Sequence, residues 1–362
     1  MIFTTRSFAQ CFSSIAFLLA ALSVNAQDLP WHLGSINSAT PTAPAAINTA
    51  GTRPGPHEVV VAVIDGGVLP NHPSLSGRLL PGFDMLSGPK NLKGGRSADF
   101  EPDPRGVKCG DRAASGSYRT HGTEVASLIA GNGRDGVTWV NPSAKILPVR
   151  LFGSCHMSRT DLLDAISWSA GLPVAGVPAN ANPARVINLS LAGGKAICGN
   201  DLQQVLDRVA SKNVFVVAAV GNTFGKRLAE PANCRGVISV GAVNAENNIE
   251  HYSALDPRTT IYAPGGGNSI SVDAPWRVNK LKVATFDVNF IGDELPASLM
   301  SGVGTSYASP LVAGFVSLML SHKPELTPAE FLKQLPKYSR PVNAPASCPD
   351  CAPRGLTMVE MI

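Results

Sequence analysis

The sequence predicts an α/β fold in which a mainly parallel sheet is covered by helices on both faces. Short continuous apolar runs rich in β-branched residues, such as Val59-Val60-Val61-Ala62-Val63-Ile64, read as strands buried on both sides. Amphipathic segments at helical spacing lie between them, and that alternation gives parallel sheets. The 362 residues, 44% apolar and 15% charged, are enough to bury a large core. No internal repeat or composition break interrupts residues 57–345, which read as one domain.

The elements follow in chain order. The first strand stops at Asp65-Gly66-Gly67, where glycine permits a sharp turn. From His121 to Ala130, Val125, Leu128 and Ile129 fall at helical spacing, and Gly131-Asn132-Gly133 ends the run, so His121 is placed at a helix start. Lys145 to Arg150 is a second strand. Ser158-Arg159-Thr160-Asp161 is a capping-box pattern opening a helix with Leu162, Leu163 and Ile166 on one face. Val186-Ile187-Asn188-Leu189-Ser190-Leu191 is a strand, and Leu202, Val205, Leu206 and Val209 mark an amphipathic helix. Val214 to Ala219 and Val237 to Val243 are strands again. Thr305 to Ser321 is apolar on nearly every side, which predicts a buried helix. Thr327-Pro328-Ala329-Glu330 opens the last helix, with proline at its first position.

Residues 1–26 read as a secretory signal: Arg6 supplies a positive n-region, residues 15–22 a short apolar stretch, and Val24-Asn25-Ala26 a small-residue cleavage site. An uncleaved anchor is the alternative. Residues 27–56 form a lead-in rich in Ala, Pro, Thr and Asn, and residues 346–362 a C-terminal tail. Of the seven cysteines, Cys11 leaves with the signal. Cys109, Cys155, Cys198, Cys234, Cys348 and Cys351 remain, and an even count in an exported chain suggests disulfides, among fifteen pairings. Cys348 and Cys351 also have the spacing of a zinc half-site, but no second such pair and no nearby histidine accompany them. A net charge of +4 without a long basic run points to neither nucleic acid nor a membrane surface as partner. The expectation is a monomer released to the medium or the periplasm.

Three polar residues sit where an apolar element meets a loop: Asp65 at a strand end, and His121 and Ser306 at helix starts. A serine hydroxyl needs a base within hydrogen-bond reach, and the base needs an orienting carboxylate. Asn222, after Val216-Val217-Ala218-Ala219-Val220-Gly221, and the Ser306 N–H are candidate oxyanion donors. Asp84, Asp99, Glu101 and Asp103 precede His121 in a polar loop and are hard oxygen ligands of the type Ca²⁺ takes. They leave room for a structural calcium, although the chemistry itself requires no cofactor. The other histidines lack such a setting.

Val63-Ile64-Asp65-Gly66-Gly67, His121-Gly122-Thr123-Glu124-Val125-Ala126 and Gly304-Thr305-Ser306-Tyr307-Ala308-Ser309-Pro310 resemble the three active-site signatures of the subtilisin-like serine proteases, in that family's order. Ala219-Val220-Gly221-Asn222 resembles its oxyanion segment, and residues 188–194 its substrate-pairing strand. Residues 145–150 and Tyr262-Ala263-Pro264-Gly265 also resemble family blocks, so the similarity spans about residues 31–340. The resemblance implies a three-layer α/β sandwich and a secreted endopeptidase acting on protein or peptide substrates. It further implies substrate paired as an added strand on Ser190, Leu191 and Ala192. By the same resemblance Cys109 pairs with Cys155 and Cys198 with Cys234, while Cys348 and Cys351 are close enough in sequence to bridge each other.

The sequence departs from the family at several points. Gly66 follows Asp65 where relatives usually carry Thr or Ser, which removes a hydroxyl from the carboxylate's surroundings. Glu124 stands where His is frequent, in what reads as a first helical turn, where its charge suits the helix dipole. Ala192 replaces a usual Gly, and its methyl is expected to crowd the peptide-binding edge. Trp31-His32-Leu33 resembles the start of a mature enzyme and leaves little space for the pro-segment that subtilases normally carry.

Overall fold

The computed structural model describes residues 33, 53–87, 96–102, 108–109, 112–113, 117–132, 139–152, 158–193, 195–225, 227–267, 281–287, 296–351 and 355–356. The expected signal segment, Cys155 with its expected bridge to Cys109, and Asp103 lie outside the described residues. The elements are β1 (Val60–Asp65), β2 (Phe83–Asp84), β3 (Lys108–Cys109), β4 (Arg112–Ala113), α1 (Ser117–Ala130), β5 (Lys145–Arg150), α2 (Arg159–Ser169), β6 (Val186–Leu189) and α3 (Asn200–Ala210). They continue as β7 (Phe215–Ala219), β8 (Val237–Val243), β9 (Ile261–Pro264), β10 (Leu281–Phe286), β11 (Ala297–Gly302), α4 (Thr305–His322), α5 (Pro328–Gln334), β12 (Ser339–Arg340) and β13 (Gly355–Leu356).

The central sheet runs β12-β13-β9-β8-β7-β6-β1-β5-β2. Seven of these strands, β2, β5, β1, β6, β7, β8 and β9, pair in parallel. Side chains alternate across it as strand geometry demands. Val61 and Val63 join a core built with α1 and α4, whereas Ala62 and Ile64 join a second core built with α2 and α3. These are the three layers the sequence implies. The capping box at Ser158 forms as read, Thr327 caps the last helix as read and does so with a capping box of its own, and the apolar stripe of α3 is buried at Leu202, Val205, Leu206 and Val209.

The strand read over 186–191 ends at Leu189, and the start of α1 differs more widely from the sequence reading. α1 begins at Ser117, so His121 and Glu124 lie beyond its first turn and the dipole argument for Glu124 does not hold. The physical reason is that Thr120, Thr123 and Glu124 are polar yet buried. Thr123 accepts the Leu69 N–H and Glu124 binds Thr285 and Tyr307, and the apolar period that would reveal a helix starts only at Val125. The β10–β11 hairpin, which the apolar pattern did not reveal, packs on α1 and supplies Leu281 and Val283 to the same core. No helix among the described residues is long and apolar enough to cross a membrane.

Candidate active site

Because β1, β6 and β7 are adjacent and parallel, their carboxyl ends open together on one edge, where α/β sheets gather functional groups. Asp65 ends β1 and is fully buried. Its two carboxylate oxygens each lie 2.9 Å from Nδ1 of His121, and Oδ1 also accepts the Gly66 N–H at 2.7 Å. The backbone of Gly66 therefore gives the carboxylate a donor where the side-chain hydroxyl is missing. Helix α1 reaches this strand end because Gly122 has no side chain: a Cβ there would meet the Gly67 carbonyl oxygen at 2.2 Å and the Asp65 Cβ at 3.1 Å.

Burial of the His121 ring would lower its pKa, but the charge and hydrogen bond of Asp65, with the charge of Glu124, outweigh this and hold it above its ordinary value. The rings of Phe152 and Tyr307 flank it, with centroids 6.2 and 6.1 Å away.

Ser306 is the second residue of α4, after Gly304 at φ 149°, a conformation that favours glycine. Its position in the first turn leaves its N–H without an intrahelical acceptor. Pro310 lies four residues on and has no N–H to offer the Ser306 carbonyl. The Ser190 hydroxyl donates to that carbonyl instead, at 2.8 Å, and the Ser306 hydroxyl donates to the Ser190 carbonyl at 3.1 Å. Asn188 extends this link: its amide donates to Ser190 Oγ at 2.9 Å, and its Oδ1 accepts Ser309 Oγ at 2.8 Å. Among the described residues no hydrogen bond joins His121 to Ser306 in this arrangement.

Asn222 is exposed at the end of the segment after β7. Its Oδ1 accepts both the Thr305 N–H, at 3.0 Å, and the Thr305 hydroxyl, at 2.9 Å. That fixes the amide and leaves Nδ2 over Gly304, where a Cβ would approach it at 3.1 Å. Asp65, His121, Ser306, Asn222 and Ser190 thus converge on one edge.

Leu191 and Ala192 follow the end of β6, and among the described residues their backbones make no hydrogen bond to another segment. The Ala192 methyl lies against Gly221, 2.9 Å from where a Cβ would stand. Just beyond, the chain is tied down by contacts that sequence reasoning did not find. Gly193 N–H donates to the Glu230 carbonyl at 3.0 Å and Gly199 N–H to its carboxylate at 2.6 Å. Arg159, at the start of α2, holds Glu230 at 2.7 Å and also binds Asp201. Despite its burial, Glu230 is held below the usual carboxylate range by these partners. The Cys198–Cys234 disulfide crosses the same region, and Cys348 bonds to Cys351.

Of the acidic residues named for calcium, Asp84, Asp99 and Glu101 are among the described residues. Asp84 is buried and paired with Arg150, and Asp99 accepts the Glu101 N–H at 3.1 Å. Among the described residues no three metal-ligating side chains cluster.

A model described as "Subtilase family" matches residues 56–341. The chain is 34% identical over 329 residues to an "Extracellular protease" of Xanthomonas campestris pv. campestris, covering 88% of this chain and 52% of that one. It is 34% identical over 275 residues to an "Extracellular basic protease" of Dichelobacter nodosus, covering 73% and 43%. The chain therefore spans about half the length of these curated relatives. Among solved structures, a protease from Pseudoalteromonas arctica superposes with a TM-score of 0.75 at 34% identity, covering 91% of this chain and 95% of that one.

Proposed function

The chain belongs to the subtilase family, and on that premise we propose that it is a secreted serine endopeptidase working through Asp65, His121 and Ser306. The observation that carries this reading is the doubly anchored contact of His121 Nδ1 with the buried Asp65 carboxylate, beside the helix start that holds Ser306. The pair fixes the imidazole tautomer and leaves Nε2 to act as base.

An extended peptide lies along Ser190, Leu191 and Ala192, and its N–H takes the Ser190 carbonyl. The Ser306 hydroxyl loses that acceptor and swings about χ1 to His121. Its oxygen attacks the peptide carbonyl carbon while the proton passes to Nε2. The oxyanion is met by Nδ2 of Asn222 and the N–H of Ser306. Collapse breaks the C–N bond, and the leaving amine takes the proton from Nε2. Water then attacks the ester with its proton drawn by His121, and the carboxylic acid departs as the Ser306 hydroxyl is restored. Subtilases carry out this chemistry without a cofactor. Export is supported by the signal-like residues 1–26 and by relatives named extracellular.

The test is labelling by a serine-directed fluorophosphonate. Wild type is labelled, and Ser306→Ala and His121→Ala are not. Labelling fades as pH falls through the His121 titration, above the ordinary value of 6.5, because only the neutral ring accepts a proton. Correctly folded wild type that resists the probe removes the enzyme reading.

A further inference from the structure

Two side chains with no part in these steps join the base helix to the nucleophile helix. Glu124 lies three residues after His121 on α1 and is 2% exposed. One of its carboxylate oxygens accepts the Tyr307 hydroxyl at 2.7 Å and the other accepts the Thr285 hydroxyl at 3.1 Å. Tyr307 follows Ser306 directly, and its phenol is packed tightly enough that a Cβ on Gly302 would come within 2.4 Å of it. The carboxylate is therefore enclosed by α1, α4 and β10 and receives two hydroxyl donors. Among the described residues it has no ion-pair partner.

We propose that Glu124 is a positioning residue that, through Tyr307, sets the spacing of the base and nucleophile helices and keeps a second negative charge behind His121. This rests on the reading of His121 as base and Ser306 as nucleophile. The linkage is short: Ser306 and Tyr307 share a peptide bond, and His121 and Glu124 share a helical turn. A buried hydrogen bond to a charged group is stronger than a neutral one. Burial and the nearby Glu124 charge push the Tyr307 phenol far above its ordinary pKa, so it stays a donor wherever a protease would operate. The Glu124 charge also acts on the imidazole in the same sense as Asp65.

The other ionisable groups on α1 and the elements packed against it are placed differently. Asp65 on β1 binds His121. Arg150 on β5 binds Asp84, and Lys145 on the same strand bonds the Gly77 carbonyl. His72, beside a short 3-10 turn, contacts the Ser298 carbonyl, and Lys282 on β10 is exposed. Arg119 lies buried on α1 itself, and His322 ends α4. Asp65 and Glu124 both act on the His121 ring to favour its charged form.

The experiment measures kcat, KM and fluorophosphonate labelling against pH for wild type, Glu124→Gln, Tyr307→Phe and the double variant. Glutamine keeps the shape and an acceptor oxygen but removes the charge. Without that charge the imidazolium is less favoured, so the acid limb of labelling moves to lower pH, by on the order of half a unit to one unit. Tyr307→Phe leaves the charge and the acid limb in place. Each variant lowers kcat by roughly five- to tenfold with KM little changed, the weight of about one buried hydrogen bond. The double variant loses much less than the product of the two, because they break one linkage.

An acid limb unmoved in Glu124→Gln, or losses that multiply, overturns the proposal while a labelled wild type keeps the protease reading. Wild type that folds but is not labelled removes both. Should Glu124→Gln fail to fold, Tyr307→Phe and the charge-keeping Glu124→Asp decide the matter: full kcat in both overturns it.

Discussion

The proposed acid–base half of the site and its proposed nucleophile half are secured in opposite ways. Asp65 and His121 are joined directly, in a pocket where the carboxylate is fully buried and a backbone N–H adds to its bonds. Ser306 and Asn222 stand at the mouths of loops, with Ser306 bonded to the Ser190 carbonyl and Asn222 held from behind by Thr305. One half is assembled by the fold alone. In the other, a bound peptide is expected to displace Ser306 from the Ser190 carbonyl while Thr305 keeps Asn222 in place. On the proposed mechanism the Asp65–His121 pair can be rigid because its partners do not change during turnover, whereas Ser306 must move.

Three substitutions sharpen that contrast. Asp65→Asn should have the largest effect, because it reverses the hydrogen bond that sets the imidazole tautomer. A loss of about 10⁴-fold in kcat is expected, a magnitude carried over from serine protease triads, and active-site titration before steady-state assay separates it from unfolding. Asn222→Ala should lower kcat by about 10²- to 10³-fold with KM nearly unchanged, the range carried over from the equivalent asparagine of subtilisin. Equal loss in both halves would end the distinction drawn here. Thr305→Val removes the hydroxyl, which donates to Asn222 Oδ1 and accepts the Gly221 N–H at 3.2 Å, and leaves the backbone N–H bond to Asn222. It should lower kcat by roughly tenfold, in keeping with the loss of these two hydrogen bonds. A larger fall than for Asn222→Ala would mean that the Gly221 contact, and not the orientation of the amide, carries the effect.

Much of this was legible in the sequence, for identifiable reasons. Buried parallel strands leave continuous apolar runs, and caps such as Ser158 and Thr327 announce helix starts through side chains that bond their own backbone. The site residues could be read because each interrupts or ends such a signal. What escaped was of two kinds. The start of α1 was hidden because its early turns carry polar residues that are nonetheless buried. The ties around Glu230 and between Glu124 and Tyr307 were hidden because they span 71 and 183 positions of chain. No local pattern encodes them.

Gly122 sets a rule for anyone wishing to harden this molecule against heat. Replacing helical glycines with alanine is a standard stabilising move, worth about 1 kcal/mol where the space exists. Here the added methyl would collide with the Gly67 backbone and pry the imidazole off its carboxylate. A library that exchanges glycines indiscriminately should therefore return a variant at this position that trades turnover for no gain in endurance, and the codon is best left untouched.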